Sequence, residues 1–301
     1  MTLDRSNLPT EQRNPATAEL DRLDTEAAVA LIQEEDRAIH AALAAARSDI
    51  ARAVDLIAGR LRAGGRLFYL GAGTSGRLAM LDSVECPPTF QSEPTLVQAI
   101  VAGGGAALTG AVEGAEDDAH SAAKELERRG FGPSDVLLGV AASGTTPFVR
   151  GGIEFARKRG AATVFLACVP REMVGDDADI SIRVVSGPEV LTGSTRMKAG
   201  TATKLVLNTI STLVMVRLGK VHGNLMVAVN TRGNAKLEDR GRRLIQELGC
   251  CDSIAAARLL VAAEGQVQVA VIMARRKLDA AAARQCLARS KGSLRAALGE
   301  N

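Results

Sequence analysis

Hydroxyl groups on glycine-rich loops are the first residues of this 301-residue chain whose types and spacing could do chemistry. Residues 71–77 read Gly-Ala-Gly-Thr-Ser-Gly-Arg after a β-rich run, and residues 141–147 read Ala-Ala-Ser-Gly-Thr-Thr-Pro after another. Each would set hydroxyls and free backbone N–H groups at the start of a helix, which suits a phosphate monoester. Gly73, Thr74 and Ser75 are the candidates in the first loop, and Ser143, Thr145 and Thr146 in the second. A third cluster, Thr192-Gly-Ser194-Thr195, opens another helical run and adds Ser194 and Lys198 as assisting candidates. Such residues also serve simply as helix caps, and Lys198 has the alternative of an exposed place in a first helical turn. The first loop fits the dinucleotide pattern G-x-G-x-x-G. Yet the next β-rich run ends Val101-Ala-Gly-Gly-Gly105, with no carboxylate to hold a ribose. Two hydroxyl-rich loops favour a phosphosugar over a nucleotide.

Carboxylates are the second group. Glu85 closes the helical stretch after the first loop, just before Cys86-Pro87-Pro88, where proline is expected to stop the helix. Glu113, Glu116, Asp117 and Asp118 cluster near the expected start of the next helix, with Glu113 and Glu116 spaced to share a face. Acidic residues at a helix start also complement its dipole without any catalytic role.

These groups need a scaffold, and the pattern supplies one. Short β-rich runs at 66–70, 95–101, 135–141, 162–167 and 179–185 alternate with helical segments, which predicts an α/β fold: a doubly wound parallel five-stranded sheet flanked by helices. Two helices are expected between Asp24 and Leu61, capped by Thr25 and stopped at Gly64-Gly65. One long, largely buried helix is expected over Thr195–Leu218. After Asn230 helical stretches take over, giving residues 1–240 as the sheet domain with its leading helices and 241–301 as a small helical C-terminal domain.

Bulk properties narrow the class. With 37 basic and 34 acidic residues the net charge is only +3, which argues against nucleic acid as a partner. Five cysteines without a C-x-x-C pair and three scattered histidines indicate neither a metal site nor a disulfide framework. The N-terminal stretch lacks a signal-peptide core, and the most apolar run, 205–216, is broken by Asn208, Thr209, Ser211 and Thr212. A cytoplasmic enzyme with no membrane contact is expected.

Six segments stand out across the chain: TEQRNPAT (10–17), YLGAGTSGRLAMLDSVECPPTF (69–90), AVEGAEDDA (111–119), AASGTTPFV (141–149), GSTRMKAGTATKLVLN (193–208) and GKVHGNLM (219–226). Together they resemble the N-acetylmuramic acid 6-phosphate etherases, members of the SIS (sugar isomerase) fold. The chain departs from the family pattern at Gly105, His222 and Ala228. The resemblance implies a homodimer without metal or other cofactor, acting in recovery of cell-wall amino sugars, and it aligns the family's acid–base glutamates with Glu85 and Glu116. The implied reaction removes the proton next to the aldehyde of a ring-opened sugar, expels lactate from the third carbon and then adds water. Two carboxyls in opposite protonation states meet that need. Glu116 as base and Glu85 as acid is one division of labour, and the reverse stays open. The rival readings are a phosphosugar isomerase, and a sugar-phosphate-sensing regulator such as the glucokinase regulatory protein, which has two such domains.

Overall fold

The computed structural model describes residues 5–229, 231 and 235–300. Helices α1 (Thr25–Asp36), α2 (Ala38–Ala45) and α3 (Arg47–Arg62) precede the sheet. The chain then alternates through β1 (Leu67–Gly71), α4 (Gly73–Phe90), β2 (Val97–Val101), α5 (Ala106–Thr109), α6 (Ala119–Arg128), β3 (Val136–Val140), α7 (Pro147–Lys158), β4 (Ala162–Ala167) and β5 (Ile180–Arg183). It continues with α8 (Lys198–Arg217), α9 (Ala235–Gly249), α10 (Ser253–Ala262), α11 (Val267–Arg276), α12 (Ala280–Arg289) and α13 (Leu294–Leu298). By internal packing this makes two compact units, Met1–Ser83 with Thr95–Ser211, and Val84–Pro94 with Thr212–Asn301. Residue 240, the boundary expected from the sequence, lies within α9.

In the first unit the five strands form one parallel sheet in the order β2-β1-β3-β4-β5, each within two residues of its expected span. Leu67 pairs with Val97 on one side and Val136 on the other, and the register runs on through Val136 with Ala162 and Val164 with Ile180. β1, β3 and β4 are buried at every position, as strands covered on both faces must be. The scarce aromatics gather here: Phe68, Phe131, Phe148 and Phe165 share one cluster with Leu70, Ile100 and Leu137, and Phe68 meets Phe131 edge-on at 5.2 Å.

Three local expectations change. The leading region is three helices rather than two, and Asp24, not Thr25, caps the first by accepting from the Ala27 amide at 2.8 Å. α4 does not stop at Cys86 but continues through Pro87 and Pro88 to Phe90. Proline's fixed φ is itself helical; the Gln91 amide bonds the Pro87 carbonyl at 2.9 Å, and Gln91 then turns left-handed at φ 49°. α8 matches its expected span and, by length and a mean hydropathy of 1.3, could cross a membrane; 56% of that window is buried within the fold. Its Ser211 donates to Asp82 at 3.1 Å, as befits a core helix.

The second unit has its own core. Val269, Ala270, Val271 and Ile272 of α11 are fully buried among Ile245, Ala256, Leu260, Ala283 and Leu294.

Candidate active site

Strand order fixes where a ligand can sit. β1 and β3 are neighbours, but the chain leaves β1 for β2 on one side and β3 for β4 on the other, so the loops after β1 and β3 diverge. A crevice opens between them at the carboxyl ends of the strands, the usual ligand site in such sheets. The N-termini of α4 and α7 point into it, each bringing N–H groups without helical acceptors. Gly76 lets α4 begin this close to the sheet: a Cβ there would lie 2.7 Å from both the Gly71 carbonyl oxygen and Val101 Cγ1.

The crevice is a cavity of about 240 Å³. Gly73, Thr74 and Ser75 line it from the first loop, and Ser143, Thr145 and Thr146 from the second, so both predicted loops meet in one place. Thr146 is the N-cap residue of α7, yet its side chain makes no capping hydrogen bond. Thr74 and Ser75 likewise have no side-chain partner among the described residues. The capping alternative therefore fails for these three hydroxyls, which are free to meet a ligand. Ser143 and Thr145 bond each other at 2.9 Å and keep further bonding capacity.

Glu116 also lines the cavity. It sits on a loop between α5 and α6, not on a helix, so the expected shared helical face with Glu113 does not exist. Its main-chain carbonyl accepts from the Phe148 amide at 3.0 Å, tying the loop to the first turn of α7. Gly151 permits the next contact, since a Cβ there would fall 2.1 Å from the Ala119 carbonyl oxygen. The acidic cluster thus divides its tasks. Asp118 caps α6 by accepting from the His120 and Ser121 amides, Glu116 and Asp117 face the cavity, and Glu113 is exposed away from its lining.

Two assisting candidates fall elsewhere. Lys198 is neither exposed nor on the cavity wall: it is 2% exposed, with its Nζ 2.6 Å from Glu35 Oε2. That hydrogen bond holds the Glu35 carboxyl below its usual range. Ser194 is half-buried and outside the lining, whereas its neighbour Thr195 is within it. Two further charged lining residues, Arg5 and Glu11, are not marked as site groups by any local sequence pattern, although Glu11 lies within the segment 10–17, and Asp117 joins the lining from the acidic cluster.

Glu85 is exposed and is not among the lining residues. It stands on α4 twelve residues after Gly73, in the stretch that belongs to the second compact unit. Leu81 and Val84 beside it are 46% and 54% exposed, giving that stretch of α4 an uncovered apolar face. Larger cavities lie elsewhere: one of about 520 Å³ behind β2, one of about 380 Å³ in the second unit, and one of about 380 Å³ lined mainly by paired charges, which shares Thr145 and Pro147 with the crevice.

An α/β sheet of this order, with hydroxyl-bearing loops at its switch point, defines a protein of the SIS type, and residues 49–157 match the model of the glucokinase regulatory protein N-terminal SIS domain. The chain is 52% identical to an N-acetylmuramic acid 6-phosphate etherase of Synechococcus sp. (strain CC9605), covering 98% of this chain and 93% of that one. It is equally identical to one of Gloeobacter violaceus (strain ATCC 29082 / PCC 7421), covering 98% and 96%. The chain belongs to the N-acetylmuramic acid 6-phosphate etherase family. Among solved structures, a phosphoheptose isomerase from Neisseria gonorrhoeae is 20% identical with a TM-score of 0.47, covering 63% of this chain and 97% of that one.

Proposed function

We propose that this protein cleaves the lactyl ether of N-acetylmuramic acid 6-phosphate to N-acetylglucosamine 6-phosphate and D-lactate. The observation that carries the reading is the convergence of two uncommitted hydroxyl loops and Glu116 on one cavity, in a chain half identical to named etherases over nearly its full length.

The phosphate would sit on Thr74, Ser75, Ser143, Thr145 and Thr146 and the N–H groups opening α4 and α7, with Gly73 bending the first loop at φ 52°. Glu116 would then take the proton from the second carbon of the open-chain sugar. Glu85 would protonate the lactyl oxygen as the bond to the third carbon breaks, then deprotonate the water that adds.

The Glu85 serving a given cavity comes, in this reading, from a second copy of the chain. Glu85 is outside the lining of the cavity, and exposed Leu81 and Val84 flank it. The cavity itself is smaller than the roughly 300–1,000 Å³ usual for small-molecule sites, as expected where a homodimer completes it. A cytoplasmic setting and a part in recovering cell-wall sugars fit this chemistry.

Incubation with N-acetylmuramic acid 6-phosphate should release D-lactate with N-acetylglucosamine 6-phosphate in equal amounts. Folded protein that releases none, but rapidly interconverts glucosamine 6-phosphate or fructose 6-phosphate with its isomer, would point to an isomerase.

A further inference from the structure

One wall of the cavity comes from the N-terminal segment, and it carries a third glutamate. Glu11 is half-buried, and its carboxylate has no hydrogen-bond or ion-pair partner among the described residues. Gly193, which turns left-handed at φ 76°, passes beside it: a Cβ there would stand 3.4 Å from Glu11 Oε2, in ordinary van der Waals contact.

Three residues on, the segment is tied into the fold from several directions. Asn14, 6% exposed, donates from Nδ2 to Glu35 Oε2 at 2.7 Å and to the Pro188 carbonyl at 3.4 Å. The same Glu35 oxygen takes the Lys198 ammonium at 2.6 Å. Thr17 donates to the Val190 carbonyl at 2.9 Å, and the fully buried Glu189 between these anchors accepts from the Lys198 and Ala199 amides at 2.9 Å each. The start of α8, helix α1 and the N-terminal segment thus share one knot, with Lys198 engaged in it. The Lys198 side chain is 2% exposed and that of Glu35 20%, and the pair helps to fix the segment that ends at the cavity.

An unpaired carboxylate beside a phosphate site repels a free anion but accepts hydrogen bonds from hydroxyls. It therefore favours a phosphate that carries a sugar over one that does not. We propose that Glu11 is a specificity-determining residue that contacts a sugar hydroxyl, and that Asn14, Glu35 and Lys198 are positioning residues acting through it. The inference rests on the phosphosugar reading of the cavity.

Calorimetry with N-acetylglucosamine 6-phosphate and with inorganic phosphate tests it without relying on turnover. Glu11→Gln should weaken the sugar phosphate about tenfold, in line with one hydrogen bond to a charged group, while inorganic phosphate binds unchanged or tighter. Asn14→Ala should act in the same direction, and should add nothing in the Glu11→Gln background, because the two residues act as one unit. Should Asn14→Ala lower the thermal midpoint too far to be read, Glu11→Gln alone carries the test, since it leaves the knot intact. Wild-type affinity in Glu11→Gln, equal losses for both ligands, or an Asn14→Ala effect that persists in full beside Glu11→Gln would overturn the proposal. Lactate release by the wild type, followed in parallel, separates failure of the etherase reading from failure of this one.

Discussion

The two ends of the parallel sheet treat their polar groups in opposite ways. At the amino end Asp135, 2% exposed, accepts from the Arg66 amide at 2.8 Å, from its guanidinium at 3.1 and 2.8 Å, and from the Gly132 amide at 2.9 Å. Asp179 likewise accepts from the amide and hydroxyl of Thr163 at 2.7 and 2.9 Å. Arg66 reaches on to the Arg129 and Gly130 carbonyls. At the carboxyl end, Thr74, Ser75, Thr146 and Glu11 have no side-chain partner within the described chain. Buried polar groups in a fold are normally satisfied, and those at the amino end hold the sheet together. The partly exposed groups at the other end are, in the proposed reading, left for a ligand to bond.

The contrast breaks if substitutions at the two ends have the same consequence. The largest effect is expected for Glu116→Gln: lactate release should fall by roughly 10²–10⁴-fold with the thermal midpoint unchanged, because the Glu116 bond to Phe148 is made by the main chain. Asp135→Ala should do the reverse. It strands the Arg66 guanidinium and the Gly132 amide, costing about 3 kcal/mol in urea unfolding, while KM and kcat of the folded fraction stay near wild type. A midpoint loss in the first or a kinetic loss in the second would dissolve the distinction.

A smaller effect sharpens it through pH. Hydrogen bonds from Arg128, then Arg129, hold the Glu125 carboxyl at about 2, below its unfolded value of about 4.3. The stabilisation is therefore present above the unfolded value and is lost as pH falls from there toward 2. With Glu125 28% exposed at its side chain, solvent screening keeps this to the order of 1 kcal/mol or less. Glu125→Gln should flatten the wild-type decline in urea-unfolding free energy between pH 4.5 and 2.5, by about 1 kcal/mol or less, and leave phosphate affinity at neutral pH alone. An unchanged slope would remove Glu125 from the structural group.

How much of this was legible in the sequence follows from the range of the interactions involved. The strands were legible because each is a short apolar run bounded by glycine or turn residues, and the two loops because their glycines and hydroxyls are contiguous. Helix α11 was not: VQVAVIMARR, 267–276, alternates like a strand, and it is helical because its packing in the second core buries Val269 to Ile272 together. The pair of prolines in α4 misled because proline's fixed φ is itself helical, so the helix runs on through them at the cost of the two backbone hydrogen bonds that their missing N–H groups would have made. The choice of Glu116 over Glu113 rested on resemblance alone; the fold separates them through a bond to Phe148, which no local pattern encodes. The same holds for Lys198, whose partner Glu35 is 163 residues away, and for Glu11, whose segment is anchored by Asn14 at Pro188.

The central claim, that the cavity is an etherase site in which Glu116 of one copy works with Glu85 of the other, is tested most directly by mixing two inactive variants. Glu116→Gln and Glu85→Gln homodimers should each release almost no D-lactate. After subunit exchange, mixed dimers carry one site with both glutamates intact, and activity should return to about a quarter of the wild-type value at equal proportions. No recovery, with mixed dimers demonstrated by mass, would contradict the account.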